Sequence, residues 1–208
     1  MEFITGFVVF IILLFAIILH EIAHGWTAYV LGDPTAKLAG RLTLNPLKHI
    51  DPVGTILIPG FLLLLRSLGM SPIVFGWAKP VPVNFSQLRS PKRDIIWVGL
   101  AGPFVNILLA LGFRQLLNFS LSPFFREVVG IAIFVNLLLA VFNMIPIPPL
   151  DGSRLVMGIL PMRWASSYAR LERYGILIVA GLLYSGLLDK VIWPVLGWLS
   201  RLLGVQFQ

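Results

Sequence analysis

From Phe3 to Leu19 the chain carries no charged side chain, and further apolar runs follow over 94–117, 127–145, 174–188 and 191–204. Runs of this kind restrict the fold more than any other feature. In hydrocarbon a backbone must satisfy its own N–H and C=O groups, and a helix does so within one segment. About 20 apolar residues suffice to cross the bilayer core. Charged residues make up only 12% of the chain, against about 25% in a soluble domain, and mean hydropathy is +0.91. The expected fold is an all-α polytopic membrane protein with roughly five to six membrane-embedded helical segments. No repeat or long linker divides it. Residues 1–208 read as one domain, with a core over about 3–160 and C-terminal helices over 170–205.

The net charge of +7 comes from basic residues spread over short loops, without the basic, aromatic-interleaved block that binds nucleic acid. The lipid bilayer is the partner this pattern implies. The start of the chain has Glu2 and no Lys or Arg before the apolar run, so it reads as a retained helix and not a cleaved signal. There is no cysteine, which excludes disulfides, thiolate metal sites and thiol nucleophiles.

The helix begun at Phe3 is expected to stop at Gly32-Asp33-Pro34. Residues 52–69 are apolar but short, interrupted by Pro59-Gly60 and carrying Arg66. Pro80-Val81-Pro82-Val83 must be extended, since proline disfavours helix at itself and at the residue before it. It is expected as an edge strand or a polyproline-like segment near the active site, with a plain loop as the other reading. Pro146, Pro148 and Pro149 end a helix, and Asp151 suits the N-cap of the next.

Within the first apolar run lies "HEIAH", residues 20–24. His20 and His24, at i and i+4, share one face of a helix and can grip one metal ion. Glu21 lies beside the first of them, placed to act as a general base toward water on that metal. Ionisable groups at membrane depth each cost a few kcal/mol, which metal ligation offsets. Zinc hydrolases add a third protein ligand. His49 sits in a polar loop beside Lys48, where a solvated role is the default. Asp33, Asp51, Asp94, Glu127, Asp151, Glu172 and Asp189 are the carboxylate candidates. Asp151 stands apart because it follows a proline-broken helix end, and irregular backbone at membrane depth lines a cavity or is buried in protein.

Beyond this motif the chain carries "GRLTLNPLKHIDPVGT" (40–55), "GWAKPVPVN" (76–84), "LAGPFVN" (100–106) and "NMIPIPPLDG" (143–152). With HExxH in a membrane helix, this ordered set resembles the site-2 protease family of intramembrane zinc metalloproteases, in a compact branch without PDZ or CBS modules. The resemblance spans roughly residues 5–160. It implies one Zn2+ per chain held by His20, His24 and Asp151, with Glu21 as general base. It also implies that Asn143 faces the active site as a supporting catalytic residue; a helix C-terminal cap is the other reading of Asn143. For Asn106, after Gly102-Pro103, a helix-packing role is expected, with an inward-pointing amide as the other reading. The implied reaction is hydrolysis of a peptide bond in or near a transmembrane segment of a membrane protein substrate. A zinc-binding transporter and a catalytically silent membrane chaperone are the alternatives.

Charge adds a topological condition. Loops 32–52, 70–93 and 153–173 hold eleven of the sixteen basic residues, and cytoplasmic loops carry such an excess. If 52–69 crossed the membrane, Asp151 would emerge on the face opposite the histidines. The expectation is therefore a re-entrant 52–69 segment, in a multi-pass cell-membrane protein whose active site lies toward the cytoplasm.

Overall fold

The computed structural model describes residues 2–70 and 78–205. Nine α-helices occur among them: α1 (Glu2–Val30), α2 (Thr35–Leu38), α3 (Ile58–Ser67), α4 (Pro91–Leu116), α5 (Pro123–Asn143), α6 (Gly152–Ile159), α7 (Met162–Ala169), α8 (Gly175–Tyr184) and α9 (Asp189–Leu202). α7 falls in the basic 153–173 stretch, where no helix of its own is expected from the sequence.

Local chemistry sets the ends of these helices. α1 stops where Gly32 adopts φ 115°, a conformation that glycine reaches without the Cβ penalty of other residues. α4 and α5 both begin with proline, whose missing N–H is not needed there. Asp94 reaches back to accept a hydrogen bond from the Ser90 N–H at 2.8 Å, securing the start of α4.

α1, α4 and α5 pack as an antiparallel set. The Arg89 N–H donates to the Leu31 carbonyl at 3.0 Å, so the chain entering α4 meets the end of α1. Further along, Val98 meets His24 and Asn106 meets His20. α9 closes over α5 through a core that includes Ala110, Ile133, Leu137, Leu188, Ile192 and Leu196. Arg114 Nε donates to the Leu203 carbonyl at 2.6 Å and ties that end down. Outward, Phe10, Phe15, Trp97, Phe104 and Leu108 stand exposed, as lipid-facing side chains do.

Among the described residues, three helical stretches are long and apolar enough to cross a membrane: Phe7–Val30, Pro91–Leu116 and Pro123–Asn143. A fourth span is possible if Met162–Tyr184 and Asp189–Leu202, bent by 79°, count as one. The expected five to six segments include shorter ones that do not meet this test. The reason is length. α8 has 10 residues and α9 has 14, about 15 and 21 Å at 1.5 Å per residue, against the ~30 Å of a bilayer core.

The 52–69 segment also differs from expectation in detail. A π-helical turn over Pro52–Leu57 leads straight into α3, so the chain does not fold back at Pro59-Gly60. Pro59 stands at the junction of the two, within the first two positions of α3. The chain nevertheless comes back to where it left. The Lys79 N–H donates to the His49 carbonyl at 2.9 Å. Residues 71–77 lie outside the described residues.

No strand forms among the described residues, so Pro80–Val83 is an edge segment without a sheet. Its anchors explain this. Val81 N–H donates to Glu21 Oε2 at 2.7 Å, and Asn84 N–H donates to Asp33 Oδ2 at 2.6 Å. Arg41 Nη2 donates to the carbonyls of Lys79 (2.7 Å) and Pro80 (3.3 Å). The segment is pinned to α1 and its following loop. Gly25 permits the approach, since a Cβ there would lie 2.6 Å from Val81 Cγ1.

Candidate metal centre

His20 and His24 project from α1 toward α4, both buried. His20 stands ten residues before the end of α1, about 15 Å along the axis. α4 makes room for them with one glycine. A Cβ on Gly102 would lie 2.5 Å from His20 Cε1, His20 Nε2 and His24 Nε2.

Each imidazole is fixed from behind. His24 Nδ1 lies 2.6 Å from the Val98 carbonyl. A carbonyl can only accept, so Nδ1 carries the proton and Nε2 keeps its lone pair. His20 Nδ1 lies 2.5 Å from Asn106 Oδ1, which demands the same tautomer. Both Nε2 atoms therefore present lone pairs, 3.0 Å from each other.

Asp151 arrives from the other half of the chain. It occupies the N-cap position of α6, as expected, yet its side chain makes no capping hydrogen bond. The carboxylate turns instead to the histidines, with Oδ2 3.0 Å from His20 Nε2 and Oδ1 3.2 Å from His24 Nε2. The turn that delivers it folds tightly over the end of α5. A Cβ on Gly152 would lie 2.2 Å from the Met144 carbonyl oxygen, so only glycine fits.

With both imidazoles neutral, three lone-pair-bearing atoms facing one another at about 3 Å call for a cation among them. Zinc bonds of about 2.0–2.2 Å in a tetrahedron put neighbouring ligand atoms roughly 3.3 Å apart. The donor set therefore fits a single zinc ion. His20, His24 and Asp151 are the group of His and acidic residues that can hold a metal among the described residues.

Other carboxylates considered as third ligands are spent locally. Asp33, fully buried, accepts from Thr35 and from Asn84. Asp51 caps the Pro52–Leu57 turn through the N–H groups of Val53 and Gly54. Asp94 holds Ser90, and Glu172 pairs with Arg154 at 3.3 Å. Glu127 is exposed in the first turns of α5, and Asp189 opens α9. His49 is not solvated as its loop position suggests. It is 1% exposed, and its Nε2 donates to the Thr43 carbonyl at 2.9 Å.

Glu21 is partly buried on the flank of α1, turned from the histidine face toward Val81. Asn143 is the last residue of α5. Its Nδ2 donates to the Leu139 carbonyl at 3.0 Å, a back-bond one helical turn long. That leaves the second N–H of the same amide for another acceptor. Asn106 does more than pack helices, because it is a direct partner of His20. The sequence signals this only by placing an amide one helical turn after Gly102 on a membrane helix, where a polar side chain needs a partner.

Two buried histidines on a helix apolar and long enough to cross a membrane, a partly buried carboxylate facing them from the turn before α6, and an adjacent glutamate define a metal-dependent hydrolase. Comparison with known proteins agrees. The model of "Peptidase family M50" matches residues 120–185. Two relatives bear the name "Putative zinc metalloprotease". YwhC of Bacillus subtilis is 38% identical over 200 residues, covering 89% of this chain and 84% of its own. Rip2 of Mycolicibacterium smegmatis is 29% identical over 196 residues, covering 93% and 73%. No solved structure gives a significant match. The chain belongs to peptidase family M50, the site-2 protease family, and is a metalloprotease.

Proposed function

We propose that this chain is an intramembrane protease that uses one zinc ion, held by His20, His24 and Asp151, to hydrolyse peptide bonds in or near transmembrane segments of membrane proteins. The observation that carries this is the convergence of two imidazole nitrogens from an apolar helix and the Asp151 carboxylate, with a glutamate one residue from the first histidine. Bound there, zinc lowers the pKa of a water to about 7 and polarises a carbonyl. Glu21 takes a proton from the attacking water and passes it to the departing amide nitrogen. Val81 N–H orients the Glu21 carboxylate meanwhile. Asn143 directs its remaining amide N–H to the developing oxyanion.

A transmembrane helix offers no free carbonyl, so the substrate unwinds locally before cleavage. The 78–84 segment then pairs with the extended substrate backbone as an added edge. Its support is position: it runs beside Glu21 and lacks a partner strand. The assay is a model single-pass substrate in vesicles with the purified chain. Cleavage is expected, loss on zinc chelation, and recovery on zinc addition; cleavage indifferent to chelation contradicts the proposal. In the same assay Val83→Pro should slow cleavage several-fold with zinc content unchanged. Val81→Pro is the poorer probe, because it also strips the donor from Glu21.

The active site is proposed to lie toward the cytoplasm, with 52–69 entering and leaving on that side. The His49–Lys79 hydrogen bond supports it, because the excursion begins and ends at one place. Since the chain has no cysteine, single cysteines at Ser90 and Ser166 should both label only from the cytoplasmic face. Labelling of both from the opposite face rules the topology out.

A further inference from the structure

His24 has its tautomer set by a backbone carbonyl that touches it directly. His20 does not. Its Nδ1 faces an amide side chain, and an amide has two ends, one accepting and one donating. If Asn106 were reversed, its Nδ2 would face His20. The proton of His20 would then move to Nε2, where it blocks ligation. Something must hold Asn106 the right way round.

The structure assigns that role to Asn136, on α5. Asn106 is fully buried and Asn136 is 1% exposed, so no water competes for their amides. Asn106 Nδ2 donates to Asn136 Oδ1 at 3.0 Å, and Asn136 Nδ2 donates to the Ala132 carbonyl at 2.8 Å. The chain of bonds is read from its far end. The Ala132 carbonyl can only accept, so Asn136 must turn its NH2 there. Its oxygen then faces Asn106, which turns its own NH2 to meet it. The oxygen of Asn106 is left for His20, and the His20 proton settles on Nδ1. Reversing any one member sets two oxygens or two N–H groups against each other in a buried site, where neither finds another partner.

Asn136 is thus a positioning residue. It reads the polarity of a backbone carbonyl on α5 and transmits it through α4 to a ligand on α1. The inference rests on the metal-site reading above, but it concerns the orientation of His20 and not the identity of the ligands. Outer groups of this kind typically change metal affinity 10–100-fold when removed.

The test is zinc affinity of the purified full chain, by competition with a chelator at fixed pH. Asn136→Leu should weaken binding by about 10–100-fold. Adding Asn106→Asp to that variant should restore most of it, because a carboxylate accepts with either oxygen and needs nothing to orient it. Unchanged affinity in Asn136→Leu, or no recovery in the double variant, overturns the proposal and leaves Asn136 a packing residue. If the unaltered chain binds no zinc, the metal-site reading fails instead. A second readout needs no variant. The chain has three histidines, so 15N-histidine spectra show three imidazoles. His20 of the zinc-free protein should carry a proton on Nδ1; a His20 protonated only at Nε2 overturns the proposal.

Discussion

Glu21→Gln should leave one zinc per chain and lower cleavage of a transmembrane substrate by about 10²–10⁴-fold, the usual worth of a general base. Glutamine has the same shape, and its side-chain oxygen can still accept the Val81 N–H that Glu21 Oε2 accepts at 2.7 Å. None of the three ligand atoms is altered. What disappears is the capacity to take a proton from water. The two readouts are zinc per chain by elemental analysis and product by gel. Zinc retained with cleavage lost separates an enzyme from a membrane chaperone that keeps zinc only for its fold. Cleavage surviving at the original rate would remove Glu21 from the chemistry.

Gly102→Ala should empty the metal centre, with zinc affinity falling at least tenfold and cleavage falling with it. The added Cβ would lie 2.5 Å from three atoms of the two imidazoles. Neither ring can retreat, because Asn106 holds one from behind and the Val98 carbonyl holds the other. Gly102 lies within α4, where alanine is the better helix former by about 1 kcal/mol. Helix content by circular dichroism should therefore persist while zinc is lost. An alanine variant that binds zinc as the unaltered chain does would mean that the histidines do not meet at Gly102.

Half of the centre is legible in the sequence because it is local. His20, Glu21 and His24 are three positions on one helix, and helical geometry alone puts the histidines on one face. Asp151 is legible for a different reason. A carboxylate behind Pro146, Pro148 and Pro149 marks irregular backbone among membrane helices. What stays hidden depends on contacts between distant elements. His49 reads as a solvated loop residue, yet tertiary packing leaves it 1% exposed. Pro59-Gly60 reads as a break, yet the helical stretch runs through it, with Pro59 where the π-helical turn passes into α3. Pro80–Val83 reads as an edge, and it is extended, but its donors go to Glu21 and Asp33 and not to a sheet. The Asn136–Asn106–His20 chain links three helices, and no spacing within any one of them announces it.

The central claim is that His20, His24 and Asp151 together hold one zinc ion at membrane depth. X-ray absorption at the zinc edge of the purified, zinc-loaded chain, compared with Asp151→Ala, tests it most directly. The expected result is two imidazole nitrogens and a carboxylate oxygen at about 2.0–2.2 Å, with the carboxylate contribution absent from the variant. Identical zinc environments in the two proteins, or a zinc without imidazole ligands, would contradict it.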